Sequence, residues 1–213
     1  MFYIVQEVGW PIWPLLVCSV VALALVIERF VFLKTARVMP PRLLDEVIQV
    51  SRQQLPGPEV VNKLAQNSLF GEVLASGFRQ LHQHPRSSES DVRSALEGAG
   101  RLAAAKMQKY LGALGTIASA APLLGLLGTV IGMIEIFGSQ GGPGGLTAGG
   151  GDPAQLARGI SIALYATAFG LVVAIPSLMF WRYFRARVDA YVLAMEVASE
   201  RFVRHVLLTR GQA

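Results

Sequence analysis

Three long apolar runs, at residues 12–33, 114–137 and 159–181, constrain this chain more than any other feature. A helix needs about 20 residues to cross the hydrocarbon core of a bilayer, and each run is that long. In hydrocarbon every backbone amide and carbonyl must be satisfied internally, so such runs fold as helices. The first is broken only by Glu28 and Arg29 near its end. It has no basic residue ahead of it and no small-x-small cleavage pattern, which favours a retained anchor over a signal peptide. Composition agrees. Charged residues make up 15% of the chain, against roughly a quarter in soluble domains. The expected fold is an all-α membrane protein with three transmembrane helices.

The net charge of +5 is a topology signal because of where the cations lie. Residues 1–11 and 138–157 contain no Lys or Arg. Arg29, Lys34, Arg37 and Arg42 follow the first run, Lys106 and Lys109 precede the second, and Arg182, Arg185 and Arg187 follow the third. Basic residues stay on the cytoplasmic side. The expected order is therefore an outside N-terminus (1–11), a span (12–33), a cytoplasmic helical region (34–113), a span (114–137), an outside Gly-rich loop (138–158), a span (159–181) and a cytoplasmic helix (182–213). Trp10 and Trp13 at one face, with Trp181 and Tyr183 at the other, suit interfacial aromatic belts. No nucleic-acid partner is expected.

The cytoplasmic region is helix-compatible, with breaks at Leu55-Pro56-Gly57-Pro58 and His84-Pro85-Arg86-Ser87. Ser88 to Asp91 is a capping-type helix start. No proline follows until Pro122, and Leu96, Leu102, Met107, Leu111 and Leu114 recur at roughly helical spacing. One long helix entering the second span is expected. The third span is expected to continue through Val188, Tyr191, Met195, Val197 and Phe202, reaching about 45 Å into the cytoplasm. A stalk of that length needs packing partners, so a helical bundle or ring-forming oligomer is expected.

Catalytic and metal chemistry find no constellation. Cys18 is the single cysteine and lies in an apolar run. His82 and His84 lack a matching Cys or acidic cluster, and His205 reads as tail surface. The glycine-rich residues 141–151 lack the Gly-Lys-Ser/Thr ending of a phosphate loop. No enzyme activity, metal or cofactor is expected.

The second and third runs carry stripes of small residues: Gly115, Ser119, Pro122, Gly125, Thr129 and Gly132, then Ala163, Thr167, Gly170, Ala174 and Ser177. Their spacing puts each set on one helical face. Small residues let membrane helices approach closely, and Gly128 with Gly132 forms a GxxxG pair. Two readings stand: close packing alone, or packing plus a polar pathway. Depth favours the second. Thr129 lies eight residues before Phe137, and Thr167 eight after Gly159, so both sit about 12 Å below the outer surface. Hydroxyls donate and accept hydrogen bonds without a fixed charge. No Asp, Glu, His or Lys occupies the centre of any run; Glu28 and Glu135 lie near the ends. A proton relay needs an ionisable carrier near mid-membrane, so such a carrier has to come from another polypeptide. Pro122 and Pro176 are either ordinary kinks or points of flexure.

Ala121-Pro122-Leu123-Leu124-Gly125-Leu126-Leu127-Gly128-Thr129-Val130-Ile131-Gly132-Met133-Ile134 resembles the second-span signature of the ExbB/TolQ/MotA proton-channel family. So do Ala157-Arg158-Gly159-Ile160-Ser161-Ile162-Ala163-Leu164 and the following Tyr165-Ala166-Thr167-Ala168-Phe169-Gly170-Leu171, with Val173-Ala174-Ile175-Pro176. Gly9-Trp10-Pro11 and Glu28-Arg29 fit the ExbB branch. The resemblance implies a bacterial inner-membrane homo-pentamer around a pore holding the single spans of two ExbD-like subunits. An Asp of that partner would carry the proton, with Thr129 and Thr167 matching the pore threonines and Glu135 near the mouth. The motor would act on a TonB-type protein for outer-membrane transport. A TolQ-like envelope role is the alternative within the family, and a passive membrane scaffold is the alternative outside it. Arg182, Arg185 and Arg187 are candidates for docking the partner's tail. Ile162 stands where some members carry Glu.

Overall fold

A computed structural model describes residues 12–51, 55–140 and 153–210, and all regular structure there is α-helical. The helices are α1 (Ile12–Phe32), α2 (Thr35–Val38), α3 (Leu43–Ser51), α4 (Pro58–Asn67), α5 (Leu69–Gln83), α6 (Glu89–Gln108), α7 (Leu111–Gln140) and α8 (Pro153–Arg210). Three stretches are long and apolar enough to cross a membrane: Ile12–Phe32, Glu89–Gly138 and Gly159–Val206. Gly9, Trp10 and Pro11 and most of the Gly-rich loop lie outside the described residues, as does the side chain of Ile162.

The chain divides into two compact units. One holds residues up to Ile27 and Tyr110–Arg182; the other holds Glu28–Lys109 and the chain from Tyr183. In the first, Leu15 of α1 packs with Ala121 of α7 and with Val173 and Ala174 of α8, flanked by Cys18, Ile117, Leu124 and Phe169. The outward residues are also apolar: Val20, Leu23, Leu123, Ile134, Leu164, Val172 and Met179 are all more than half exposed. A polar solvent would penalise that surface, whereas lipid does not.

The second unit has a conventional core. Phe78 of α5 meets Phe202 of α8 edge-on, with centroids 4.9 Å apart. Gly77 lets Phe202 and Leu96 close over α5, since a Cβ there would lie 3.0 and 3.1 Å from them. Ion pairs surround this core: Lys106 with Glu72 at 2.7 Å, and Arg93 with both Glu89 and Glu200. The start of α6 is the expected capping box. Ser88 Oγ accepts from Asp91 N, and the Asp91 carboxylate accepts from Ser88 N. The helix breaks before Pro58 and after Gln83 also fall where the proline clusters put them.

One expectation is corrected. The helix that begins at Glu89 does not run unbroken into the second span, because it stops at Gln108 and restarts at Leu111. Lys109 leaves the helical region at φ −52° and ψ 135°, and Tyr110 follows at φ 67°, a left-handed conformation. Hydrophobic spacing continues across the gap, so no sequence pattern marks it. A tertiary contact of Arg29 caps the end of the first segment. The last carbonyls of a terminated helix lack i+4 amide partners, and Arg29 NH1 donates to the Met107 carbonyl at 2.9 Å. A guanidinium also suits the negative end of the helix dipole. α8, by contrast, continues unbroken through Pro176 to Arg210 as expected.

Candidate functional site

The small-residue stripes form the seam between α7 and α8. A Cβ on Gly125 would lie 2.8 Å from the Ala166 carbonyl oxygen and 3.0 Å from Thr167 Cα. One on Gly170 would lie 2.6 Å from the Ala121 oxygen and 3.1 Å from Gly125 Cα. Toward one end of the seam Gly132 faces Ala163, and toward the opposite end Gly115 lies under the Trp181 indole. The two backbones are therefore in direct contact at Gly125 and Gly170. Gly128 is buried, Pro122 half-buried and Pro176 exposed, and both prolines are accommodated inside continuous helices.

This register also fixes the relative height of the threonines. The helices run antiparallel, with Gly125 opposite 166–170 and Gly132 opposite Ala163. Thr129 then falls opposite residues near 165, so Thr129 and Thr167 differ by about 3 Å along the axis, roughly half a turn. Both are half-buried at the edge of the seam. Their hydroxyl hydrogens are committed to backbone oxygens. Thr167 Oγ1 donates across the seam to the Gly125 carbonyl at 3.2 Å, and Thr129 Oγ1 donates to Leu126 O in its own helix at 2.7 Å. A hydroxyl used in this way keeps acceptor lone pairs. Each threonine can therefore accept a hydrogen bond from a protonated acid or a water while its own proton stays on the backbone.

Thr129 opens into a shallow apolar groove lined by Val130, Met133, Ile134, Phe137 and Gly138. Its neighbours at i+4 and i+8 are in that groove, as helical periodicity requires. Glu135 is exposed but does not line it; six residues on, it points about 120° around the helix from Thr129. The pore-mouth candidate and the hydroxyl candidate are thus on different faces. Arg182, Arg185 and Arg187 are all exposed on α8.

Arg29 is the residue whose role the sequence pattern undersold, since position alone made it a topology marker. Its side chain is 2% exposed. Besides the Met107 carbonyl it engages both Glu28 oxygens and lies 4.6 Å over the Phe32 ring. The available signal was its place inside an apolar run, where a charge persists only when paired. Among the described residues no His, Cys, Asp and Glu group is arranged to hold a metal.

The MotA/TolQ/ExbB proton channel family matches residues 65–197. An ExbB-like biopolymer transport protein of Synechocystis sp. is 35% identical over 173 residues, covering 81% of this chain and 79% of that protein. The biopolymer transport protein exbB1 of Vibrio cholerae is 30% identical, covering 81% and 73%. The Tol-Pal system protein TolQ of Pseudomonas aeruginosa is 32% identical over 128 residues, covering 57% and 53%.

Proposed function

Because the chain belongs to the MotA/TolQ/ExbB proton channel family, we propose that it is the ExbB-like housing of a proton-driven motor, with the titrating group supplied by a partner. One observation carries this reading. The spans hold no Asp, Glu, His or Lys at their centres, yet two threonines within about half a turn of each other keep acceptor capacity at the edge of a tightly packed seam. A protonated carboxyl arriving at that level would find acceptors, and an ionised one would find no fixed cation to trap it. Moving one charge down 100 mV releases about 2.3 kcal/mol, enough to drive conformational work proton by proton.

In this reading five copies surround the single spans of two ExbD-like subunits, and the complex drives a TonB-type protein in a bacterial inner membrane. The N-terminus faces the periplasm and the C-terminus the cytoplasm. Arg182, Arg185 and Arg187 follow the third span and serve as a rim for the partner's tail; charge reversal there should lower partner recovery. The match to TolQ supports a second reading, a subunit of an envelope-constricting system, and the identity of the co-purifying partner separates the two.

The test is the pair Thr129→Val and Thr167→Val. Both variants should assemble and recover a one-span partner with a membrane-embedded Asp, yet lose uncoupler-sensitive transport. Full activity in the double variant would leave the threonines as packing residues only. Transport indifferent to uncouplers in the wild type would instead make the chain a passive scaffold.

A further inference from the structure

Just past the apolar part of α8, Tyr183, Arg187 and Tyr191 stand at i, i+4 and i+8 on one helical face. Phe30, near the end of α1, lies 6.1 Å from the Tyr183 ring and meets Phe184 edge-on at 4.9 Å. Phe30 and Tyr183 nevertheless remain 45% and 50% exposed. They form an aromatic ledge that stays about half exposed.

Beside the ledge the chain leaves α1 and presents Lys34 and Thr35. Arg187 donates through NH2 to Thr35 Oγ1 at 3.3 Å and lies 5.4 Å over the Tyr191 ring. The Thr35 and Tyr191 hydroxyls are 3.0 Å apart, and Tyr191 donates to the Leu33 carbonyl at 3.2 Å. Tyr191 has a single hydrogen, so the order along the chain is set: Arg187 to Thr35, Thr35 to Tyr191, Tyr191 to Leu33. The network orients the guanidinium without neutralising it. Among the described residues no carboxylate pairs with Arg187 or Lys34. The surrounding segments, residues 33–42 and 181–188, contain six cations and no acid.

We propose that Lys34 and Arg187, the latter oriented by Thr35, bind the phosphate headgroup of an anionic phospholipid whose acyl chains lie against Phe30 and Tyr183. A held guanidinium fork matches phosphate geometry, and the exposed Lys34, next to Thr35 in the chain, adds a point charge. Aromatic rings at the end of an apolar helix are where headgroups meet acyl chains. A free phosphate ion would use the cations and leave the ledge exposed; a phospholipid uses both. The proposal rests on the chain spanning a membrane and is independent of the threonine pathway; it takes Arg187 out of the rim assigned above to the partner's tail and leaves Arg182 and Arg185 there. Failure of the test below therefore leaves the motor reading untouched, and the reverse also holds.

The test is native mass spectrometry of the purified full chain in neutral detergent, titrated with phosphatidylglycerol, phosphatidylcholine or inorganic phosphate. The wild type should retain phosphatidylglycerol in preference to phosphatidylcholine. Removing surface cations weakens anionic-lipid binding by about fivefold each, so the Lys34→Gln/Arg187→Gln double variant should lose about 25-fold, and Arg42→Gln much less. Thr35→Val keeps every charge but removes the orienting hydroxyl, so it should lose a few-fold for phosphatidylglycerol and nothing for phosphatidylcholine. It decides the matter if the double variant does not fold. The proposal is overturned by unchanged phosphatidylglycerol binding in these variants, by equal retention of the two lipids, or by displacement of the lipid by inorganic phosphate at matched concentration. Displacement by a co-purified acidic protein overturns it as well and assigns the cluster to partner docking.

Discussion

Replacing Gly170 with alanine adds a Cβ that would lie 2.6 Å from the Ala121 carbonyl oxygen and 3.1 Å from Gly125 Cα. Both neighbours are backbone atoms, so no side chain can turn away. Restoring an ordinary contact of 3.4 Å requires α7 and α8 to part by about 0.8 Å at Gly170, about 0.6 Å at Gly125 and about 0.1 Å at Gly132. Overpacking of the first two kinds costs about 1–3 kcal/mol. Separation also stretches the 3.2 Å bond from Thr167 to Gly125 past useful length, a further loss of about 0.6 kcal/mol for an interhelical bond in a membrane protein. Against this, alanine gains about 1 kcal/mol over glycine in a helix interior. The clash wins at Gly170 and Gly125, with net losses on the order of 1–2 kcal/mol. Propensity wins at Gly132, where the variant should be neutral or slightly more stable. Equilibrium unfolding in mixed micelles, followed by circular dichroism, reads the series. If Gly170→Ala matched the wild type, or if Gly132→Ala were the least stable, the close approach of α7 and α8 would not be what holds this unit together.

Three further outcomes are expected. Arg29→Ala removes a charge-assisted bond to the Met107 carbonyl and should cost about 2–3 kcal/mol; hydrogen exchange should rise at residues 105–114, and an unchanged pattern there counts against the capping role. Tyr110 sits at φ 67°, which asparagine tolerates and a β-branched residue does not. Tyr110→Ile should therefore melt below Tyr110→Asn, and the reverse order would show that the left-handed turn is not required. Hydrogen bonds from Ser88 hold the Asp91 carboxyl below its ordinary 3.8. A depressed carboxyl stabilises the fold above its unfolded value and loses that stabilisation as pH falls through its folded one. The melting gap between wild type and Ser88→Ala should accordingly be full near pH 6 and shrink below about pH 4, and a gap independent of pH would contradict this.

How much was legible beforehand differs by residue. The Ser88–Asp91 cap and the proline-bounded ends at Pro58 and Gln83 are local events, governed by side chains a few positions from the backbone they act on, and they were readable. So was the face shared by Gly125 and Thr129, because helical spacing alone places it. The contact partners were not. That Thr167 donates to Gly125 rather than projecting freely, and that Glu135 stands on a different face from the Thr129 groove, depends on the rotation and register of helices in space. The same is true of Arg29 and the break at Tyr110. A basic residue at the end of an apolar run looks like any other topology marker until the helix terminus it caps has been brought to it from 78 residues away.

Three membrane-length helices, the small-residue faces of the second and third, and the lack of an ionisable centre follow from the amino-acid sequence alone, because hydropathy, spacing and charge are properties of short windows. The seam between α7 and α8, the interrupted helix at Lys109–Tyr110 and the Arg187–Thr35–Tyr191 network emerge from three-dimensional packing. Each joins atoms far apart along the chain, and short-window chemistry carries no information about which distant groups will meet.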